Sequence, residues 1–279
     1  MLRPSFVSIL FLLTMFVGAQ ELRLVSWNVQ DMGRTITDAD IDRMVELLRD
    51  ADVVAIQEIV AKDPAGAKRV AALDAALDRT GTEWDYRVSP PTSSTSYYDR
   101  ERYAFLWRRS KVKALRYQLD RTVADVVVRE PYWLEVQVKG FPEPIWLVNF
   151  HSLPHAKKPE REMPYLISYP ERVSGQALIY LGDWNMTPNH KAFRPLLDKG
   201  YAIAAKDSPT TLKRKCNAAG NYLNYPIDNI FYPTAFFNKQ AVRVIDFVGD
   251  CSTLEADRKL SDHLPICLTL TPQGAPANH

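Results

Sequence analysis

The chain has 279 residues, of which 46% are hydrophobic and 24% charged, an ordinary composition for a soluble globular protein. Its formal net charge of +2 at pH 7 gives no global claim on nucleic acid, though it leaves a local one open. Beyond the first residues, nothing is long and apolar enough to span a membrane.

The first residues stand apart. Arg3 supplies a short positive region, Ser5 to Val17 is mostly apolar, and Val17-Gly18-Ala19 offers small residues at a cleavage point before Gln20. This pattern reads as a secretory signal peptide over residues 1–19. The apolar run falls short of the ~20 residues a bilayer span wants. No Cys follows it to carry a lipid. The expected mature protein is therefore a single domain over 20–279, secreted or periplasmic. Losing Arg3 lowers its charge from +2 to +1.

Leu22 to Asn28 alternates and reads as a first strand ending in Trp27-Asn28. Asp38 can cap a helix in which Ile41, Met44, Val45 and Leu48 recur at helical spacing. Val53-Val54-Ala55-Ile56 forms a second strand leading to Gln57-Glu58. A second helix places Val70, Leu73 and Leu77 on one face, with Gly81 as its stop. Residues 89–100 form a loop. Glu101–Trp107, Val112–Leu119, Trp133–Val138 and Ile145–Phe150 read as strands with short connections, which favours antiparallel pairing. The last of these ends at His151.

Residues 152–176 are polar and proline-punctuated, with a short helix around Glu160 to Ile167. Ala177 to Leu181 is a buried strand feeding Gly182-Asp183-Trp184-Asn185. Here Gly182 suggests a tight turn, and the i, i+2 spacing of Asp183 and Asn185 suggests a shared face. A helix over Ala192 to Leu197 follows, then a long irregular segment over 206–226 containing Lys213-Arg214-Lys215. Further strands cover Pro226–Phe231, carrying Asp228, then Val242–Val248 and a last one running from Ser261-Asp262-His263 to Leu270. Of three cysteines, Cys267 sits in the final apolar strand as a small hydrophobe. An exported protein allows one bridge and one leftover thiol; Cys216–Cys251 stays open, though the sequence does not favour it.

Apolar strands thus end repeatedly in ligand-type residues: Asn28, Glu58, His151, Asp183 with Asn185, and Asp262 with His263. That repetition suggests one shared site at an edge of a sheet assembly. Glu58 and Asp262 with the amide oxygen of Asn28 make a hard oxygen set suited to Mg²⁺ or Mn²⁺. Such an ion, a carboxylate for water and donors for phosphate oxygens are what phosphodiester hydrolysis needs. His155, His190, Lys157-Lys158 and Lys213-Arg214-Lys215 match no motif and read as surface residues.

The ordered set Trp27-Asn28, Gln57-Glu58, His151, Gly182-Asp183-Trp184-Asn185, Ile227-Asp228 and Ser261-Asp262-His263 resembles the endonuclease/exonuclease/phosphatase superfamily across the mature chain. Glu101-Arg102-Tyr103-Ala104-Phe105 and Arg129-Glu130-Pro131 resemble its deoxyribonuclease I branch. The resemblance implies an α/β fold of two packed, mostly antiparallel β-sheets flanked by helices. It implies Asn28, Glu58 and Asp262 as metal ligands, and Asp183 as the residue that orients or deprotonates water. Asn185 would donate to the charge developing on the phosphate. His263, paired with Asp228, would contact the scissile phosphate. His151, paired with Glu101, would be a second phosphate ligand or proton donor, and Arg129 a bidentate phosphate clamp. Val60 stands where the nuclease branch carries an arginine that enters the minor groove, and Tyr97 and Tyr98 fall near its groove-contacting aromatic. The expected activity is that of a metal-dependent, DNase I-like endonuclease, monomeric, with DNA as substrate. A phosphatase or sphingomyelinase-like phosphodiesterase of the same superfamily is the alternative.

Overall fold

The computed structural model describes residues 20–94, 96 and 99–274; the expected signal peptide and the Tyr97-Tyr98 pair lie outside them. The chain runs β1 (Leu22–Met32), α1 (Asp38–Leu48), β2 (Val53–Val60), α2 (Ala65–Asp78), β3 (Trp84–Val88), β4 (Glu101–Arg108) and β5 (Val112–Leu119). It continues through β6 (Tyr132–Val138), β7 (Ile145–His151), α3 (Met163–Ile167), β8 (Ala177–Asp183), α4 (Arg194–Asp198) and β9 (Tyr201–Ile203). It ends with β10 (Asp228–Pro233), β11 (Phe237–Val244), α5 (Leu254–Asp257) and β12 (Ile266–Pro272).

The strands make two six-stranded sheets, ordered β11-β12-β1-β2-β4-β3 and β5-β6-β7-β8-β10-β9. Each holds one parallel pair at its centre, β1 with β2 and β7 with β8; the other pairings are antiparallel, as expected. Parallel neighbours bring their C-terminal ends to the same edge. Asn28 therefore sits opposite Gln57, and His151 opposite Asp183. The two pairs deliver polar strand ends from both sheets.

Burial explains why the central strands read as nearly continuous apolar runs. Leu22, Leu24, Val53 and Ala55 face Leu134, Val136, Leu147 and Ile179 across the space between the sheets. The alternate residues Val25, Trp27, Val54 and Ile56 pack outward with Ile41, Met44, Leu48, Val70, Leu73 and Leu77. On the second sheet, Leu178 and Tyr180 pack with Leu166, Tyr169, Phe193 and Leu196. The result is four layers, helix–sheet–sheet–helix, with strands apolar on both faces. Truncating a side chain between the sheets, such as Leu147, costs about 2–5 kcal/mol. Edge strands differ: β5 and β11 are mostly exposed, and Lys239 and Arg243 on β11 discourage edge-to-edge pairing.

Several local expectations change. Thr37, not Asp38, caps α1: its Oγ1 accepts from the Asp40 amide at 3.2 Å while the Asp40 carboxylate accepts from the Thr37 amide at 2.8 Å. β3 and β9 are short edge strands that periodicity did not reveal. The strand expected at Val242–Val248 lies earlier, at Phe237–Val244, where β12 supplies its partner. Cys216 and Cys251 form a disulfide with Cα atoms 5.9 Å apart. The 206–226 loop lies against the turn after β11, as the Tyr222 hydroxyl donating to Asp246 at 2.7 Å also shows. That proximity is tertiary and leaves no trace in spacing. Among the described residues, no helix is long and apolar enough to cross a membrane.

Candidate functional site

Neither strand of the β1/β2 pair ends smoothly. The register shifts between Asn28 and Met32, and again where β2 meets β4, between Ile56 and Ile59. Glu58 sits in that irregularity with φ +59°. A bulge there re-aims its carboxylate toward the sheet edge. The Asn28 amide then spans the two sheets. Its Nδ2 donates to Glu58 Oε1 at 2.8 Å and to Asp183 Oδ2 at 3.1 Å.

Asp183 lies at the centre, 1% exposed. Two imidazoles approach its Oδ2: His151 Nε2 at 3.5 Å and His263 Nε2 at 3.8 Å. Each ring is held from behind by a carboxylate. His151 Nδ1 lies 2.8 Å from Glu101 Oε2, and His263 Nδ1 lies 2.9 Å from Asp228 Oδ2. A carboxylate at Nδ1 fixes which nitrogen faces the site. The site is thus two His–carboxylate pairs arranged about one aspartate.

Burial alone would lower the pKa of His263, but Asp228 and Asp183 outweigh it and push it up to about 10. Burial likewise opposes protonation of His151, and Glu101 reverses it to a raised value. Glu101 is held below the usual carboxylate range: burial would raise it, but His151 and Arg129 lower it. Asp183 is raised, first by burial and then by Asp228, against the pull of both histidines. The carboxylate partners thus favour the charged form of both imidazoles.

Gly182 is needed for a reason other than the expected turn. It lies within β8, and a Cβ there would stand 1.7 Å from the Phe150 carbonyl oxygen. Asn185 shares the site with Asp183 by a local hydrogen bond rather than by strand alternation. It takes φ +50°, and its amide N–H donates to Asp183 Oδ1 at 2.9 Å. Its side-chain Nδ2 donates to the Ser152 carbonyl at 3.2 Å.

Arg129 stands behind Glu101. Its guanidinium is 8% exposed as a residue, donates to the Ser152 carbonyl at 2.8 Å and lies 3.3 Å from Glu101 Oε2. Its Nη1 and Nε are thus engaged within the protein, and the Nε contact orders Glu101. Asp262 stands on the rim, with Oδ1 3.8 Å from His263 Nε2 and Oδ2 3.3 Å from Arg258.

The donor set fits a hard divalent cation. Asn28 Oδ1 is buried and accepts no hydrogen bond, because Nδ2 must face the two carboxylates. An orphaned buried amide oxygen beside carboxylates is what a metal would satisfy. Potential ligand atoms of Glu58, His151 and Asp183 lie within 4.8 Å of one another, as do those of Asp183, Asp228 and His263. Asp262 belongs to neither cluster, so of the expected ligands Asn28 and Glu58 are in mutual contact and Asp262 flanks them.

Other residues support the site without having been given a role in the sequence. Gln57 Nε2 donates to Asn149 Oδ1 at 2.7 Å, and Asn149 Nδ2 to the carbonyls of Ile56 and Ala104 at 3.0 Å each, tying the sheets together beneath the site. The Tyr103 hydroxyl accepts from the His151 amide at 3.2 Å. Thr210 Oγ1 donates to Asp228 Oδ2 at 2.6 Å. Asp31, at φ +52°, accompanies Glu58: its amide N–H donates to Glu58 Oε2 at 3.3 Å. Only Asp31 carried a signal, a carboxylate three residues past Asn28 at a strand end. A cavity of about 640 Å³ between Thr187, Leu197, Lys206 and Pro226 is not at these groups. A smaller one of about 390 Å³ reaches Asn185 and Ile227.

Residues 25–263 match the Endonuclease/Exonuclease/phosphatase family. A deoxyribonuclease from Thioalkalivibrio sp. is 25% identical over 244 residues, covering 83% of this chain and 63% of that protein. Deoxyribonuclease-1-like 1 of Sus scrofa is 27% identical over 184 residues, covering 63% of this chain and 57% of that protein. The matched part is therefore less than two thirds of either relative's length. Among solved structures, an endonuclease/exonuclease/phosphatase from Bacteroides vulgatus superposes with a TM-score of 0.65 at 17% identity, covering 91% of this chain and 100% of that one. With both the fold and the extent of the match in agreement, the chain belongs to the endonuclease/exonuclease/phosphatase family of hydrolases.

Proposed function

We propose that the chain is an exported, divalent-metal-dependent phosphodiester hydrolase acting on nucleic acid, an endonuclease of the deoxyribonuclease I type. The observation that carries this is Asp183 set between two imidazole Nε2 atoms, beside an unpartnered Asn28 oxygen. Asp183 accepts a proton from, or orients, the attacking water. His151 and His263, whose charged forms their carboxylate partners favour, bind the anionic phosphate oxygens, and either can donate to the departing oxygen. Asn185 donates to the charge developing on phosphate. When bound, Mg²⁺ or Mn²⁺ held by Asn28 and Glu58, with Asp262 flanking, supplies charge neutralisation at the phosphate.

The deoxyribonuclease relatives support DNA as substrate. The Cys216–Cys251 disulfide supports an oxidising, exported location. N-terminal sequencing of the secreted protein should begin at Gln20; an intact Met1 on the mature protein would contradict export. The activity is tested by one substrate panel, each member beside an Asp183→Ala control: supercoiled plasmid, single-stranded DNA, RNA, sphingomyelin and a phosphomonoester. Cleavage of nucleic acid lost in the control is expected. Turnover confined to the monoester or the lipid would replace this reading with a phosphatase or phospholipid phosphodiesterase.

A further inference from the structure

The cavity of about 390 Å³ beside Asn185 is lined by His155, Met186, Thr187, His190, Tyr225 and Ile227. Its size lies within the roughly 300–1,000 Å³ of small-molecule pockets. Met186 is 3% exposed and gives it an apolar floor, while the Tyr225 ring is 58% exposed. An exposed aromatic is usually of little note, but the backbone under this one is fixed. The Tyr225 amide donates to Thr211 Oγ1 at 2.8 Å, and its carbonyl accepts from the Thr210 and Thr211 amides at 2.9 and 3.1 Å. Thr210 is the residue that also holds Asp228. The ring thus projects into solvent from a rigid base that is continuous with the His263 pair. His190 adds a directed polar group: its Nδ1 accepts from the Ala192 amide at 3.2 Å, so in the neutral ring Nε2 carries the proton.

We propose that this cavity is a subsite for one unpaired nucleobase next to the cleaved phosphodiester, stacked on Tyr225 and hydrogen-bonded by His190. The inference rests on the nucleic-acid reading above. A base within a duplex has both faces covered by its neighbours and its edge paired. It could enter a cavity beside its own phosphate only by unstacking and unpairing, which costs free energy, so a single-stranded or frayed nucleotide is the favoured occupant. Asn185 lines the cavity and its amide N–H donates to Asp183, so an occupant of the cavity sits beside the proposed site of cleavage. Stacking is tolerant of base identity because every base offers a π-face. The subsite therefore favours unpaired nucleotides over any particular sequence.

The test is cleavage of a single-stranded oligonucleotide carrying one abasic residue, with every linkage resolved. Wild-type protein should cut one linkage beside the abasic residue about five- to a hundredfold more slowly than the same linkage in the intact strand. Tyr225→Ala should lose a similar factor at intact linkages and cut beside the abasic residue at the wild-type rate. Tyr225→Trp should restore the wild-type pattern. The exposed ring makes folding of these variants safe, and an unchanged melting temperature checks it. Tyr225→Ala with wild-type rates at every linkage would overturn the subsite while leaving the hydrolase reading intact. So would wild-type protein indifferent to the missing base. Wild-type protein that cuts no nucleic acid, yet turns over another phosphoester, would overturn both.

Discussion

Asp183 is a carboxylate almost sealed from water, held among two imidazoles and one amide. Asp183→Ala should lower turnover by orders of magnitude with little change in melting temperature, since the loss relieves a buried charge as well as its contacts. Steady-state rates beside a thermal melt check it; near-wild-type turnover would remove Asp183 from the chemistry. His263 carries a second consequence. Its folded pKa of about 10 exceeds the ordinary value of ~6.5. Stabilisation from its pairing with Asp228 is therefore complete below about pH 6.5 and is lost as pH rises through about 10. In Asp228→Asn protein held in chelator, the imidazole should titrate far closer to its ordinary value, as NMR would show. An unmoved titration would assign the shift to other charges. At this scale much was legible. Asn28, Glu58, His151, Asp183 and His263 end apolar runs, where a polar residue stands out. Asn149 and Thr210 did not stand out, and Gln57 and Tyr103 stood in motifs without a role, because a single amide or hydroxyl inside a strand or loop looks like ordinary variation until its partner is known.

The elements set how those residues are aimed. β7 and β8 approach so closely at Gly182 that the Phe150 carbonyl occupies the place of a side chain. Gly182→Ala should therefore force the strands apart, costing at least the ~1–3 kcal/mol of an overpacked core and much of the activity. Denaturant melts beside rate measurements check it; a variant of wild-type stability would mean the strands can yield. The loop 206–226 has a comparable dependence on the Cys216–Cys251 bridge, because Thr210 at its base orients Asp228. A Cys216→Ser/Cys251→Ser variant should lose about 2–4 kcal/mol of stability, read by denaturant unfolding. Helices α1 and α2 were legible from apolar spacing because each buries one face on a sheet. Edge strands β3 and β9 were not, since a short half-covered strand has too few residues to show a period.

The whole molecule exists to bring the two sheet edges into one register. Asn28 and Glu58 come from one sheet, His151 and Asp183 from the other, and the inter-sheet amides of Gln57 and Asn149 set their separation. Asn149→Leu should leave Gln57 Nε2 short of a partner, at about 1–3 kcal/mol, and should lower turnover without touching any group at the phosphate. Convergence at this scale was not legible from periodicity, because residues 28 and 263 share no local pattern. It was anticipated from the repetition of ligand-type residues at strand ends and from the ordered resemblance of the motifs to one family.

The most direct measurement is nicking of supercoiled plasmid by residues 20–279, with Mg²⁺, with EDTA, and with metal restored. Prompt nicking, its loss in EDTA, its return on adding metal, and its absence throughout in Asp183→Ala are the expected results. Nicking that persists in EDTA, or that survives in Asp183→Ala, would contradict the account.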